Sequence, residues 1–169
     1  MAEEIINRVA QSALITIDLE QFFPEVETTA LDIAQWLDGG MVLREKAFRE
    51  QLKAHDWSAY KGQWVALYCS TEAIFPAWTH LLVSSRLQAF ATKVVLGSLE
   101  DLQIYRFKEE IMHLDCSPYL DKTVIIKGCS EKKVPRQAYV QLIAKLQPVV
   151  KSLFYGEACS AVPLFKKKE

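Results

Sequence analysis

No two of the four cysteines, Cys69, Cys116, Cys129 and Cys159, stand close enough to form a C-x-x-C pair. A zinc ribbon and a thioredoxin-type motif are thereby excluded. Glycine is scarce as well, with six residues and one adjacent pair, Gly39-Gly40, so no glycine-rich loop offers itself to a nucleotide phosphate. Charge of either sign is not in excess: the formal net charge is −1 and the pI near 6.3. That balance gives no global pull toward nucleic acid or an anionic membrane, and neither is expected as a partner. Long apolar runs are missing too. The stretch Ala73 to Ser85 carries no formal charge but is interrupted by Pro76, and it falls short of the roughly 20 residues that span a bilayer. Met1-Ala2-Glu3-Glu4 opens acidic, without the basic region of a secretory signal, so a cytoplasmic location with reduced thiols is expected.

What is present is ample hydrophobic material. Half of the 169 residues are hydrophobic, enough for one domain over 1–169 to bury a core without staples. Ala13-Leu14-Ile15-Thr16-Ile17 reads as a strand running into Asp18-Leu19-Glu20. Ala30, Ile33, Ala34 and Leu37 recur at helical spacing before Gly39-Gly40, which predicts a helix stopped there. Arg44 to His55 reads as a helix with Phe48 and Leu52 on one side. Beyond Gln63 the pattern becomes strand, helix, strand: Val65 to Tyr68, a helix opened by Pro76, and Lys93 to Gly97. Ser98 and Asp101 make an N-cap pair for a helix carrying Ile104, Phe107, Ile111 and Leu114. Thr123 to Ile126, a helix opened by Pro135, and Ser152 to Gly156 repeat the unit.

Residues 63–97 and 122–156 align without a gap at an offset of 59, with Val65 on Val124, Pro76 on Pro135, Leu87 on Leu146 and Gly97 on Gly156. The match suggests a duplication, although strand-helix-strand units share such residues for structural reasons alone. The expected fold class is α/β: a mostly parallel sheet with helices on both faces and two βαβ-like units in the C-terminal half. Ligands of such sheets sit at the carboxyl ends of the strands.

Cys69, Cys129 and Cys159 all fall at or just after predicted strand ends. Cys129 also precedes a helix, whose terminal N–H groups favour a thiolate. Thiolates suit zinc, iron or an iron–sulfur cluster, and Glu157 is the nearest carboxylate to complete such a metal site with Cys129, Cys159 and Cys69. The bland alternative keeps these cysteines as small buried hydrophobes, and Cys116, which follows a helix, takes that reading. His80 reads as a core histidine; His55 and His113 fall near helix ends. Asp18, Glu20 and Glu25 follow the first strand as acid, base, ligand or solvated loop carboxylates. Ser70-Thr71 and Ser130 precede the two Pro-opened helices, where hydroxyls and N–H groups can meet an anion. Most of the four tryptophans read as core.

Lys127-Gly128-Cys129 and Tyr155-Gly156-Glu157-Ala158-Cys159-Ser160-Ala161-Val162-Pro163 resemble the bacterial family of domain of unknown function 2480. Asp18-Leu19-Glu20, Asp56-Trp57-Ser58 and Ala73-Ile74 with Pro76 and Trp78 extend the resemblance over nearly the whole chain. The family pattern reads Gly-Glu-Pro-Cys-Ser, where this chain has Ala158 in the proline slot. The resemblance implies an architecture and the two cysteines Cys129 and Cys159, not an activity. It also implies iron–sulfur assembly proteins as partners. The functional expectation is therefore a cytosolic accessory protein that handles a metal, cluster or sulfur species through these cysteines. A binding module for a small anionic ligand or partner protein comes second. A cysteine-dependent enzyme comes third, lacking an identifiable histidine base.

Overall fold

The computed structural model describes residues 14–23, 26–128 and 132–168. It is mixed α/β with mostly parallel strands, as the alternating pattern predicts, but the strands fall into two sheets rather than one. The chain divides into two compact units. Glu25–Tyr105 forms a contiguous unit; Met1–Pro24 and Arg106–Glu169 form a split one, and the division falls inside a helix, Leu99–His113. No helix among the described residues is long and apolar enough to cross a membrane.

In the contiguous unit, β2 (Thr28–Asp32), β3 (Trp64–Tyr68) and β4 (Lys93–Leu96) run parallel in that order. Helices α1 (Glu45–Ala54) and α2 (Trp78–Leu87) bury Phe48, Leu52, Val83 and Leu87 in a core with Leu31 and Val65. Trp36 and Trp57 are buried in this core, and the Trp57 indole N–H donates to the Leu52 carbonyl at 2.9 Å. In the split unit, β1 (Leu14–Asp18), β5 (Thr123–Lys127) and β6 (Ser152–Tyr155) are parallel, and β7 (Val162–Lys166) adds to β6 antiparallel. Phe107 and Ile111 of α3 (Leu99–His113) and Leu142 and Leu146 of α4 (Arg136–Leu146) bury against Ile17 and Val124. Each fully buried phenylalanine contributes about 2–3 kcal/mol of hydrophobic stabilisation.

The two units are built alike in detail. Trp64 stands opposite Lys93 as Thr123 stands opposite Ser152, and Gly97 N–H donates to Leu67 O as Gly156 N–H donates to Ile126 O. The correspondence extends back beyond the repeat visible in the sequence. Asp56 caps Ser58 N–H at 3.0 Å, and Asp115 caps Ser117 N–H at 2.9 Å, each opening a short 3-10 turn that ends on a tyrosine, Tyr60 or Tyr119. Phe48 and Phe107 occupy equivalent, fully buried helix positions. Ahead of these, β1 ends on Asp18 and β2 on Asp32, whose carboxylates accept from Glu20 N–H and Ala34 N–H. Leu14 pairs with Thr123 just as Thr28 pairs with Trp64. One βαβ-bearing unit is thus nested within the sequence of the other.

One local expectation is corrected, and one strand had no expectation at all. The helix expected from Ala30 to Leu37 is strand β2 followed by a 3-10 turn, Ile33–Trp36. The Asp32 side chain closes that turn on Ala34 N–H at 2.9 Å, and a strand end plus one tight turn puts Leu31, Ile33 and Trp36 inside as well as a helix would. β7 gave no clear strand pattern, because Val162 and Leu164 are exposed and Pro163 interrupts it; proline is tolerated in an edge strand. The Ser98–Asp101 cap is present: Asp101 Oδ2 accepts from Ser98 N–H at 2.7 Å and Ser98 Oγ accepts from Asp101 N–H at 3.2 Å.

Candidate functional site

Parallel pairing of β1, β5 and β6 brings three carboxyl ends to one edge of the split unit. Register sets Asp18 directly opposite Lys127. Lys127 Nζ lies 3.3 Å from Asp18 Oδ2, while Asp18 Oδ1 accepts from Glu20 N–H at 3.0 Å, so both carboxylate oxygens are engaged. Past β6 the backbone turns at Gly156, whose φ of 113° is open to glycine and strained for other residues. Ser160 N–H donates to Glu157 O at 2.9 Å and closes that turn. Around these groups lies a cavity of about 320 Å³ lined by Asp18, Gln21, Lys127, Gly156, Glu157 and Ala158, together with Thr16 and Ile125. Cys159 is exposed on the same turn, two residues beyond Glu157.

Tyr139 belongs to this neighbourhood, although its spacing in α4 marks it only as an inward helix residue. A Cβ at Gly128 would lie 2.7 Å from the Tyr139 hydroxyl and 3.3 Å from Leu19 Cβ, so the strand end is glycine because the tyrosine presses on it. Tyr139 also meets Tyr155, the last residue of β6, edge to face at 5.7 Å between centroids. The sequence alone does not mark Lys127 or Tyr139 as site residues, because the pairing of Asp18 with Lys127 is set by strand register.

The other expected residues separate. Glu157 and Cys159 share the turn just described. Cys129, with Ser130, lies outside the described residues, as does Glu25. Cys69 follows β3 in the contiguous unit, half-buried, with its Sγ 3.3 Å from the Thr71 hydroxyl, which in turn donates to Gly40 O at 2.5 Å. Ser70 N–H donates to Asp32 at 3.0 Å. Burial pushes the Asp32 carboxyl up, but hydrogen bonds from the Ser70 hydroxyl, Ala34 N–H and Ser70 N–H outweigh it and hold the group below the usual carboxylate range. Cys116 is half-buried with its Sγ 3.7 Å from Leu114 O. His80 is packed on Phe75 at 5.0 Å, and burial lowers its pKa. His55 sits among Trp36, Trp57 and Tyr60, and His113 Nδ1 lies 2.7 Å from Glu109 O. Among the described residues no three His, Cys, Asp or Glu side chains are grouped to hold a metal ion.

A family model described as protein of unknown function (DUF2480) matches residues 3–167. No curated protein matches the chain, and no solved structure matches it.

Proposed function

Because the chain belongs to this family of unknown function, we propose its function from the strand edge itself: an accessory protein that holds a metal ion or sulfur species at the carboxyl end of β1, β5 and β6. The observation that supports this is the sharing of one cavity by Asp18, Lys127 and Glu157, with the exposed Cys159 on the Glu157 turn. Two carboxylates against one ammonium favour a cation over an anion there. In this proposal Cys159 and Glu157 supply two donors and Cys129 a third. Cys129 corresponds in the repeat alignment to Ser70, whose N–H and hydroxyl both reach the Asp32 carboxylate in the contiguous unit. Two thiolates with a carboxylate suit zinc, iron or an iron–sulfur cluster, and iron–sulfur assembly proteins are the partners such a role entails. Cys69, which belongs to the contiguous unit, is a metal-ligand candidate taken by itself and tested separately.

Metal and acid-labile sulfide content of protein purified without oxygen decides the matter, beside Cys129→Ser, Cys159→Ser, Cys69→Ser and Cys116→Ser. Stoichiometric metal or sulfide, lost in the first two variants and kept in Cys116→Ser, is the expected result. Metal-free wild-type protein with an unchanged spectrum in every variant overturns it.

A second reading, binding of a small anionic ligand, draws support from Lys127, which lines the cavity and keeps about a third of its side-chain surface exposed. Lys127→Glu separates the two: it abolishes anion binding and leaves a cation site intact or strengthened.

A further inference from the structure

The opposite edge of the split unit's sheet carries a row of positive charge that the fold does not require. Lys122 precedes β5, Lys151 precedes β6 and Lys167 follows β7. Lys151 N–H donates to Lys122 O at 2.8 Å and Lys167 N–H to Lys151 O at 2.9 Å, so the three lysines are adjacent across three strands. All three are exposed, and exposed Lys166 and Lys168 flank Lys167. Asp121, paired to Lys167 at 3.1 Å, is the described carboxylate beside the row. Like charges at neighbouring cross-strand positions repel.

The contiguous unit shows that the backbone does not need Lys122 and Lys151. Its residues at the places of Lys122 and Lys151 are Gln63 and Thr92, and Thr92 N–H donates to Gln63 O at 2.9 Å in the same arrangement. A feature that repels, and that the sister unit dispenses with, calls for a reason outside the fold. Beside the row lies a cavity of about 480 Å³ lined by Ala144, Gln147, Pro148, Phe165 and Lys167. Its lining is largely apolar, with Lys167 at once in the row and in the wall.

We propose that this edge docks an acidic segment of a partner protein, its carboxylates along Lys122, Lys151 and Lys167 and one apolar side chain seated against Phe165 and Pro148. An acidic peptide satisfies both halves of the surface. A nucleic-acid strand would call for several exposed aromatic platforms along the charge row, and Phe165, partly buried against the core cluster, is the one aromatic among the described residues lining this cavity. A membrane surface would leave the cavity unfilled.

The test is fluorescence anisotropy with a fluorescein-labelled peptide, Glu-Glu-Asp-Leu-Glu-Glu, against the wild-type chain and a variant combining Lys122→Gln with Lys151→Thr. That variant takes the residues its sister unit already tolerates, and an unchanged melting curve checks its fold. Saturable binding, weakened about tenfold or more by the variant and weakened by added salt, is expected. A version with serine in place of leucine should bind several-fold less tightly. Absence of saturable binding, equal binding by the variant, equal binding of the serine peptide, or tighter binding of single-stranded RNA or phosphatidylserine vesicles overturns the proposal.

Discussion

Asp121 holds the left-handed turn that Gly62 holds 59 residues earlier. Their φ angles are 52° and 76°, and their N–H groups donate to equivalent carbonyls, Val149 O at 2.8 Å and Phe90 O at 3.1 Å. One copy of the unit therefore meets this turn with the residue that fits it freely, and the other with a residue that tolerates it at a cost.

Asp121→Gly should accordingly stabilise the protein. Relief of the left-handed backbone is worth about 1 kcal/mol, and the exposed ion pair with Lys167 that is lost returns only a few tenths of that. Gly62→Asp should destabilise by a similar amount. Urea denaturation midpoints of the two variants, read at constant slope, check the opposite signs.

Gly128→Ala should cost about 1–2 kcal/mol, because the new methyl meets the Tyr139 hydroxyl at 2.7 Å and Leu19 Cβ at 3.3 Å. Tyr139→Phe, which removes the oxygen, should recover the part of that loss due to the contact, leaving the strain of the 158° φ. A double-mutant cycle in which the two costs simply add would refute the close approach as the cause.

Asp32 supplies a pH dependence with a definite sign. Its folded pKa lies below the usual value, so its contribution to stability is fully present above the unfolded pKa, near about 4, and is lost as pH falls through the folded one. Asp32→Ala should cost about 1 kcal/mol at neutral pH through loss of the turn cap, and should flatten the acid limb of the stability curve. Chemical denaturation of both proteins at a series of acidic pH values measures this; parallel curves would exclude Asp32 as the source.

Phe48→Ala and Phe107→Ala should each cost about 3–4 kcal/mol, since both side chains are fully buried at equivalent helix positions. Denaturant titrations of each variant test whether the equivalence of position carries over to energy.

The helices were legible because each carries its own periodic apolar face: Phe48 and Leu52, or Leu142 and Leu146, announce themselves within one turn or two. The likeness of the two units is legible in the sequence only where it is written in proline, glycine and aliphatic residues. Its earlier part is carried by the Asp56–Ser58 and Asp115–Ser117 caps, whose meaning resides in hydrogen bonds rather than hydropathy. β2 hides behind helical spacing because an aspartate-capped tight turn reproduces that spacing over eight residues, and the β-branched pair Thr28-Thr29 is the residue signal that favours strand there. At the site, Glu157 and Cys159 could be assigned to a strand end from sequence alone. The partnership of Asp18 with Lys127 could not, since it depends on pairing between strands separated by the entire contiguous unit.

The nesting of one unit inside the other also sets an order of events during synthesis. β1 leaves the ribosome well before β5 exists, whereas β5 and β6 emerge in close succession. Closing the chain between β1 and β5 spans a loop nearly two doublings longer than that between β5 and β6, a difference of about 1 kcal/mol in closure entropy. The cavity wall that joins Asp18 to Lys127 is therefore assembled only after the whole Glu25–Tyr105 unit has been synthesised.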